Sequence, residues 1–252
     1  MDFRIVLSVL LTAHFLGDFY FQSDSMAASK NESWRAMLAH GLVYWGCVAA
    51  LTLPILAPVS WLPLLLIPAL HLGIDSAKKW ALQRGLTAVH PTKIFFADQF
   101  LHLLTILVVA WIYATKGSVA YSAFATGLRN AYANMQMGMP AHKLMPLLCV
   151  LLFVWKPAGV MTARVLEVLR KHEPPAEGGR DQNAGRYIGI LERFLSVLFF
   201  LTGQYTAIAF TLTAKSVARF KELEKADFAE QYLVGTLTSQ LLAIVSAAIL
   251  CG

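Results

Sequence analysis

The sequence predicts an all-α protein, a polytopic integral membrane helical bundle of about eight transmembrane helices, with six and seven as the other counts its segments allow. Three observations predict it. Hydrophobic residues make up 57% of the 252 residues and charged residues only 14%, with mean hydropathy +0.57, whereas a soluble domain carries roughly 25% charged residues. Apolar runs recur at the length of about 20 residues that crosses a bilayer. The net charge of +6 comes from basic residues gathered between those runs, a topology signal before it is a nucleic-acid signal.

The first run, Phe3–Gln22, carries His14, Asp18 and Gln22 at spacings of four, hence on one helix face. No small-residue cleavage site follows it, so it is expected to span rather than to be a signal peptide. The second, Arg35–Ala57, carries His40 with Tyr44 one turn on. The third, Trp61–Lys79, carries His71 and Asp75. The fourth, Ile94–Thr115, carries Asp98, Gln99 and His102. The polar-aromatic stretch Gly117–His142 reads as an outer-face loop or surface helix. The fifth run, Leu144–Leu166, contains Lys156-Pro157, where the proline can kink a helix. His172–Arg186 is rich in Pro, Gly and charge and reads as a linker between two halves. Tyr187–Thr202 and Gln204–Phe220 are short and separated only by Gly203-Gln204, so two short spans and one re-entrant hairpin both stay open. Phe228–Leu250 is the eighth run. The expected division is residues 1–115 as a four-helix membrane domain, 116–171 as the outer loop and fifth helix, 172–186 as the polar linker, and 187–252 as the C-terminal helices with a basic end.

Alternation of the connections sets an orientation. With the Lys78–Lys93 loop cytoplasmic, fifteen cations fall on that side, from Lys30 and Arg35 to Lys221 and Lys225, against Lys116, Arg129 and Lys143 on the other. Cys47, Cys149 and Cys251 lie in apolar stretches without a CxxC pair and read as small core residues.

The chemistry lies in the first four runs. Seven ionisable residues occupy them, each costing roughly 2.5–3.5 kcal/mol to insert. In the first and third runs these residues lie in the C-terminal half, in the second and fourth in the N-terminal half, so antiparallel neighbours bring them to one end of the bundle. His14-Phe-Leu-Gly-Asp18 followed by His40 recurs as His71-Leu-Gly-Ile-Asp75 followed by His102, an internal repeat of two hairpins. Two His and one carboxylate per hairpin suit a divalent transition metal such as Zn, Mn or Fe, one ion or two. His14, Asp18, His40, His71, Asp75 and His102 are the expected ligands. Asp98 is the expected bridge or catalytic base, and Gln22 and Gln99 are expected to orient ligands from behind. A duplicated pattern at one depth favours this over polar residues that merely glue helices together. His90, His142 and His172 read as solvated. In the second half Arg193, Lys215 and Arg219, with Lys156 beside them, could form an anion site for phosphate; snorkelling and topology are the plainer account of these cations.

The stretches AHFLGDFYFQSD (Ala13–Asp24), MLAH (Met37–His40), HLGID (His71–Asp75) and DQFLH (Asp98–His102) resemble a bacterial inner-membrane family catalogued only as a domain of unknown function, number 3307, with an HxxGDFxxQ opening motif. The later ILERFL, GQYTAIAF and AKSVARFKELE blocks resemble its extended form. The resemblance implies a multi-pass protein of the bacterial cytoplasmic membrane and carries no established activity. The His/Asp residue types are also loosely similar to membrane-bound metal-dependent hydrolases, without shared spacings.

The function expected is a metal-dependent hydrolase acting on a lipid or lipid-linked phosphate at the cytoplasmic leaflet, with membrane lipid as partner and no nucleic acid. One rival is a metal-ion or proton transporter using the His/Asp ladder, against which every ladder residue lies at one end. The other is a membrane scaffold or sensor with a structural polar cluster.

Overall fold

The computed structural model describes residues 3–30, 32–56, 61–84, 91–116, 121–134, 140–169 and 182–252. Helices carry the whole architecture: α1 (Phe3–Phe15), α2 (Asp24–Ser29), α3 (Trp34–Ile55), α4 (Trp61–Gln83), α5 (Pro91–Lys116), α6 (Ala123–Asn134), α7 (Leu144–Trp155), α8 (Pro157–Leu169), α9 (Gln182–Leu201), α10 (Tyr205–Ala218), α11 (Phe220–Leu223) and α12 (Ala226–Cys251). The one extended pairing among the described residues is an isolated bridge between Leu56 and Tyr121. Five helical segments are long and apolar enough to cross a membrane: Phe3–Tyr20, Trp34–Ile55, Pro91–Thr115, Ala141–Val168 and Ala226–Cys251. Their backbone groups are satisfied within each helix, the condition that hydrocarbon imposes.

The chain divides into two compact units, Met1–Cys149 and Val150–Gly252. The linker expected at 172–186 lies outside the described residues as far as position 181, and α9 opens at Gln182. His90 and His172 lie outside the described residues as well.

In the first unit α1 packs on α3 and α5, and α4 closes the ring by packing on the same two helices. The apolar interior comes from Val6, Val9, Leu10 and Ala13 of α1, Met37 and Val48 of α3, Ile67 of α4, and Ile106, Val109 and Ala110 of α5. The outer face of the ring is also apolar, with Leu42, Leu53, Leu65, Leu104 and Trp111 exposed. A soluble monomer rarely shows so much exposed apolar surface. Such a surface suits the interior of a bilayer. The stretch expected as a loop or surface helix does hold a helix, α6, which packs on α3.

Two local departures shape the unit. Beyond Phe15 the chain continues through a π-helical turn, Leu16–Tyr20, closed by the Phe21 amide donating to the Leu16 carbonyl at 2.8 Å. Such turns insert one residue into the helical ladder and re-aim the side chains beyond it. Gly17 sits in this turn where a Cβ would lie 2.6 Å from Cδ2 of Tyr44, so only glycine lets α1 come this close to α3.

In the second unit α12 packs on α8 and α9, and α10 packs on α9. The expected kink is present: Pro157 opens α8 immediately after Lys156, while the span Ala141–Val168 runs on through it. Gly203, at φ +72°, ends α9 with its amide on the Phe200 carbonyl and the Gln204 amide on the Phe199 carbonyl. This paired closure on a left-handed glycine is how helices commonly stop.

Candidate metal centre

Each histidine and aspartate of the first unit is placed by helical period. His14 ends the regular part of α1 and Asp18 lies in the π turn. His40 lies one turn into α3 with Tyr44 above it. His71 and Asp75 are four apart on α4, and Asp98 and His102 four apart on α5. The ring of four helices turns all of them inward at one end, and every one of the seven is buried or nearly so.

Four of their atoms face a common point. His40 Nε2 lies 3.1 Å from His71 Nε2. Asp18 Oδ1 lies 3.3 Å from the first and 3.2 Å from the second. Asp75 Oδ2 lies 3.5 and 3.6 Å from the same two nitrogens. Donors bound to one tetrahedral ion at about 2.0–2.1 Å stand roughly 3.3 Å apart. The five separations therefore match the edges of a tetrahedral ligand shell. His40 Nε2 and His71 Nε2 are also within hydrogen-bond reach of each other, while Asp18 Oδ1 is buried without a well-aligned hydrogen bond although two imidazole nitrogens face it. These residues fit a divalent transition metal.

His14 stands at the edge of the shell, with Nδ1 3.9 Å from Asp18 Oδ2. Its nitrogens are held by Tyr44 Oη and Gln99 Oε1, each at 3.4 Å. A second donor set, Asp75 Oδ1, Asp98 Oδ1 and His102 Nε2, lies beside the first and shares Asp75 with it. Rings hold the imidazoles in place: His71 is stacked between Tyr44, at 3.6 Å, and His102, at 4.2 Å.

Both glutamines contact the cluster. Gln99 donates to Asp98 Oδ2 at 3.4 Å while accepting at His14. Gln22, with its amide oriented by its neighbours, donates to the Asp18 carbonyl at 3.0 Å and accepts from Lys30 at 3.2 Å.

Two lysines that the sequence counts only as topology signals belong to this cluster. Lys30 is buried and its ammonium lies 2.9 Å from Asp75 Oδ2. Lys78 lies 2.9 Å from Asp98 Oδ2 and 3.7 Å from Asp75 Oδ1. For Lys78 the signal is present in the spacing, since His71, Asp75 and Lys78 stand at i, i+4 and i+7 on one face. For Lys30 there is none, because its reach depends on how the short α2 folds back. The three carboxylates of the centre meet two ammonium groups directly, while a third buried lysine of α4, Lys79, lies over the Trp34 ring.

The cations expected to hold phosphate lie in the second unit, where Arg193 and Lys215 are engaged. Arg193 donates to the Val154 carbonyl at 2.6 Å and to Ser239 Oγ at 3.1 Å. Gly159 and Gly189 pass close to its guanidinium, where a Cβ would lie 3.2 and 3.3 Å away. Lys215 meets Glu192 at 2.7 Å and Thr236 at 3.3 Å, and Arg219 lies 3.8 Å from Glu222. His142 is exposed, as expected of a solvated residue.

Beside the cluster a groove of about 640 Å³ runs between α4 and α5. Its walls include Ala69, Gly73 and Ala77, one turn apart on α4, and Ala97 and Leu101 on α5. Lys78, Lys93 and Asp98 are its charged residues.

Fold and site together define an all-helical chain with membrane-length apolar helices and a buried His/Asp/Lys centre in its N-terminal unit. Residues 6–128 belong to the family described as "Protein of unknown function (DUF3307)", and they include every histidine and aspartate of the centre. No curated protein and no solved structure matches the chain.

Proposed function

We propose that the protein is a metal-dependent membrane hydrolase acting on a lipid or lipid-linked phosphate at the cytoplasmic leaflet of a bacterial inner membrane. The observation that carries this reading is the four-atom shell of His40, His71, Asp18 and Asp75 at ligand spacing. A divalent ion held there, Zn, Mn or Fe, would supply an acidified water and a polarised phosphoryl oxygen. The chain's own groups supply the rest. Asp98 Oδ1 has no hydrogen-bond partner and is the acceptor for a proton leaving water. Lys78, beside Asp98 and on the wall of the groove, offers positive charge to a phosphate oxygen. Lys30 and Gln22 hold Asp75 and the Asp18 backbone in place. This moves the phosphate-holding role expected of Arg193, Lys215 and Arg219 to Lys78, which needs no contribution from the second unit.

The groove supports a lipid rather than a soluble substrate, because its polar end is part of the centre and the remainder is apolar. We read the N-terminal unit as two like hairpins, α1 with α3 and α4 with α5, each bringing two histidines and one repeated aspartate, Asp18 or Asp75, with Asp98 added by α5. We read the chain as crossing the bilayer about eight times.

Two observations weigh against the rivals. A transport path needs polar groups toward the other face, and α1, α3, α4 and α5 bury no further aspartate, glutamate or histidine among the described residues. A purely structural cluster is served by the Lys30–Asp75 and Lys78–Asp98 pairs and leaves Asp18 Oδ1 without a well-aligned hydrogen bond.

The test uses the purified protein in detergent. Elemental analysis is expected to find a bound transition metal. Phosphate release from phosphatidic acid vesicles is expected to stop on chelation and return with Zn, Mn or Fe. His71→Ala should lose both metal and activity. A folded protein that neither carries nor takes up any of these ions would overturn the proposal in favour of a structural cluster.

A further inference from the structure

Three overlapping groups of the centre can hold an ion: His14, Asp18 and His71; His40, His71 and Asp75; and Asp75, Asp98 and His102. His14 is already engaged by Tyr44 and Gln99, which leaves two donor sets that share Asp75, the shell of His40, His71, Asp18 and Asp75 and the set of Asp75, Asp98 and His102. In the first set the donors stand 3.1–3.6 Å apart. In the second, His102 Nε2 is 3.9 Å from Asp75 Oδ1 and 3.7 Å from Asp98 Oδ1. Against the roughly 3.3 Å expected of a tetrahedral shell with bonds of about 2.0–2.1 Å, the second set is only slightly more open than the Asp75 side of the first. Each set has an ammonium beside it, but Lys30 meets one carboxylate of the first, Asp75 Oδ2 at 2.9 Å, whereas an ammonium meets both carboxylates of the second. The Lys78 ammonium reaches both of its carboxylates, at 2.9 Å from Asp98 Oδ2 and 3.7 Å from Asp75 Oδ1, while His102 Nε2 has no hydrogen-bond partner.

We infer that the centre takes a single metal ion, on His40, His71, Asp18 and Asp75, and that the Lys78 ammonium stands permanently where a two-metal hydrolase holds its second ion. The inference rests on the proposed metal-binding reading and decides between the one-ion and two-ion forms that the sequence leaves open.

Charge supports the single ion. Within the centre, one divalent ion with Lys30 and Lys78 exceeds the three carboxylates they meet by one positive charge, which suits an anionic substrate. A second ion would raise the excess to three inside an apolar bundle, where uncompensated charge is strongly disfavoured. Geometry supports it as well. Paired hydrolytic ions sit about 3.5–4 Å apart, so the second would fall among Asp75, Asp98 and His102, where it would meet the Lys78 ammonium. Withdrawal of Lys78 would leave Asp98 with the longer contacts to the Gln99 amide, at 3.4 Å, and His102, at 3.7 Å. A lysine in this place delivers a fixed positive charge to the phosphate oxygen without needing a second ion from solution, and its amine also lines the groove through which a lipid would arrive.

The test is the stoichiometry of zinc retained by chelator-stripped, detergent-purified protein after saturation and desalting. One zinc per chain is expected for the wild type and for Lys78→Arg. Lys78→Met, which removes the ammonium while keeping the length, is expected to take two, and His102→Ala in that background to return to one. His102→Ala alone is expected to keep its zinc, because His102 belongs to the second set. This variant keeps the inference falsifiable should Lys78→Met fail to fold. Two zinc ions in the wild type, one in folded Lys78→Met, or loss of zinc from His102→Ala would each overturn the inference while leaving the metal-dependent reading intact. No zinc in any variant would remove that reading, and the inference with it.

Discussion

Adding one methyl group at Gly17 should disturb the centre without touching any of its ligands. A Cβ at this position would lie 2.6 Å from Cδ2, 3.3 Å from Cε2 and 3.4 Å from Cα of Tyr44. Ordinary carbon contacts lie at about 3.5–4.0 Å, so the ring must retreat by roughly 1 Å. Tyr44 has no free direction: it stacks on His71 at 3.6 Å and its hydroxyl lies 3.4 Å from His14 Nδ1. Overpacking of this kind costs about 1–3 kcal/mol, and displacing a group that orients a metal ligand typically costs 10–100-fold in affinity. Gly17→Ala should therefore lower thermal stability in detergent and weaken zinc binding by about tenfold or more, read by competition with a chelating dye. The double variant Gly17→Ala, Tyr44→Ala locates the cause. With the ring gone, the added methyl should cost much less than in the wild type, and the difference measures the clash. Unchanged stability and zinc affinity in Gly17→Ala would refute the close approach of α1 to α3. An equal loss with and without Tyr44 would refute the ring as its cause.

Three further outcomes are expected. Gly73 faces open space in the groove, so Gly73→Leu should leave stability and zinc content unchanged while reducing phosphate release from phosphatidic acid several-fold; unaltered release would remove the groove from the substrate path. Arg193→Ala strands the Val154 carbonyl and Ser239 and should destabilise the protein by about 1–3 kcal/mol, measured by thermal melting, with zinc uptake unchanged. A stable Arg193→Ala protein that loses only phosphate affinity would restore the anion-binding role the sequence suggests for that residue. Gly203→Ala places a Cβ in open space but in the left-handed region, so a loss of about 1–2 kcal/mol should come from backbone strain alone; a neutral result would show that α9 can end without it.

The helices were legible because membrane insertion imposes a single strong signal, an apolar run ended by charge, and all eight runs coincide with helical segments. The gathering of His14, Asp18, His40, His71, Asp75, Asp98 and His102 was legible too, since antiparallel order converts position along a helix into depth. The features that stayed hidden depend on contacts that periodicity does not encode. The π turn at Leu16–Tyr20 arises from one shifted hydrogen bond and the approach of Tyr44. Lys30 looks like a loop cation until α2 brings it to Asp75. Lys78 was hidden by its place among basic residues at a helix end, where topology already accounts for it. Arg193 stood out as a charge, but its partners, a carbonyl and a serine on two other helices, could not be read from its neighbours in sequence.

The polarity of α4 bears on how the protein is made. Trp61–Gln83 is 23 residues long yet is not among the five segments apolar enough to cross unaided. It carries Asp75, Lys78 and Lys79 toward one end, and each charge at depth opposes release from the insertion machinery by roughly 2.5–3.5 kcal/mol. The groups that offset those charges arrive on other segments: Lys30 before α3, and Asp98 on the later α5. In a bilayer this arrangement would couple the insertion of α4 to that of α5, which supplies the partner of Lys78. A chain truncated before Asp98 should therefore hold Trp61–Gln83 in the membrane less well than the longer chain does, as read by glycosylation mapping.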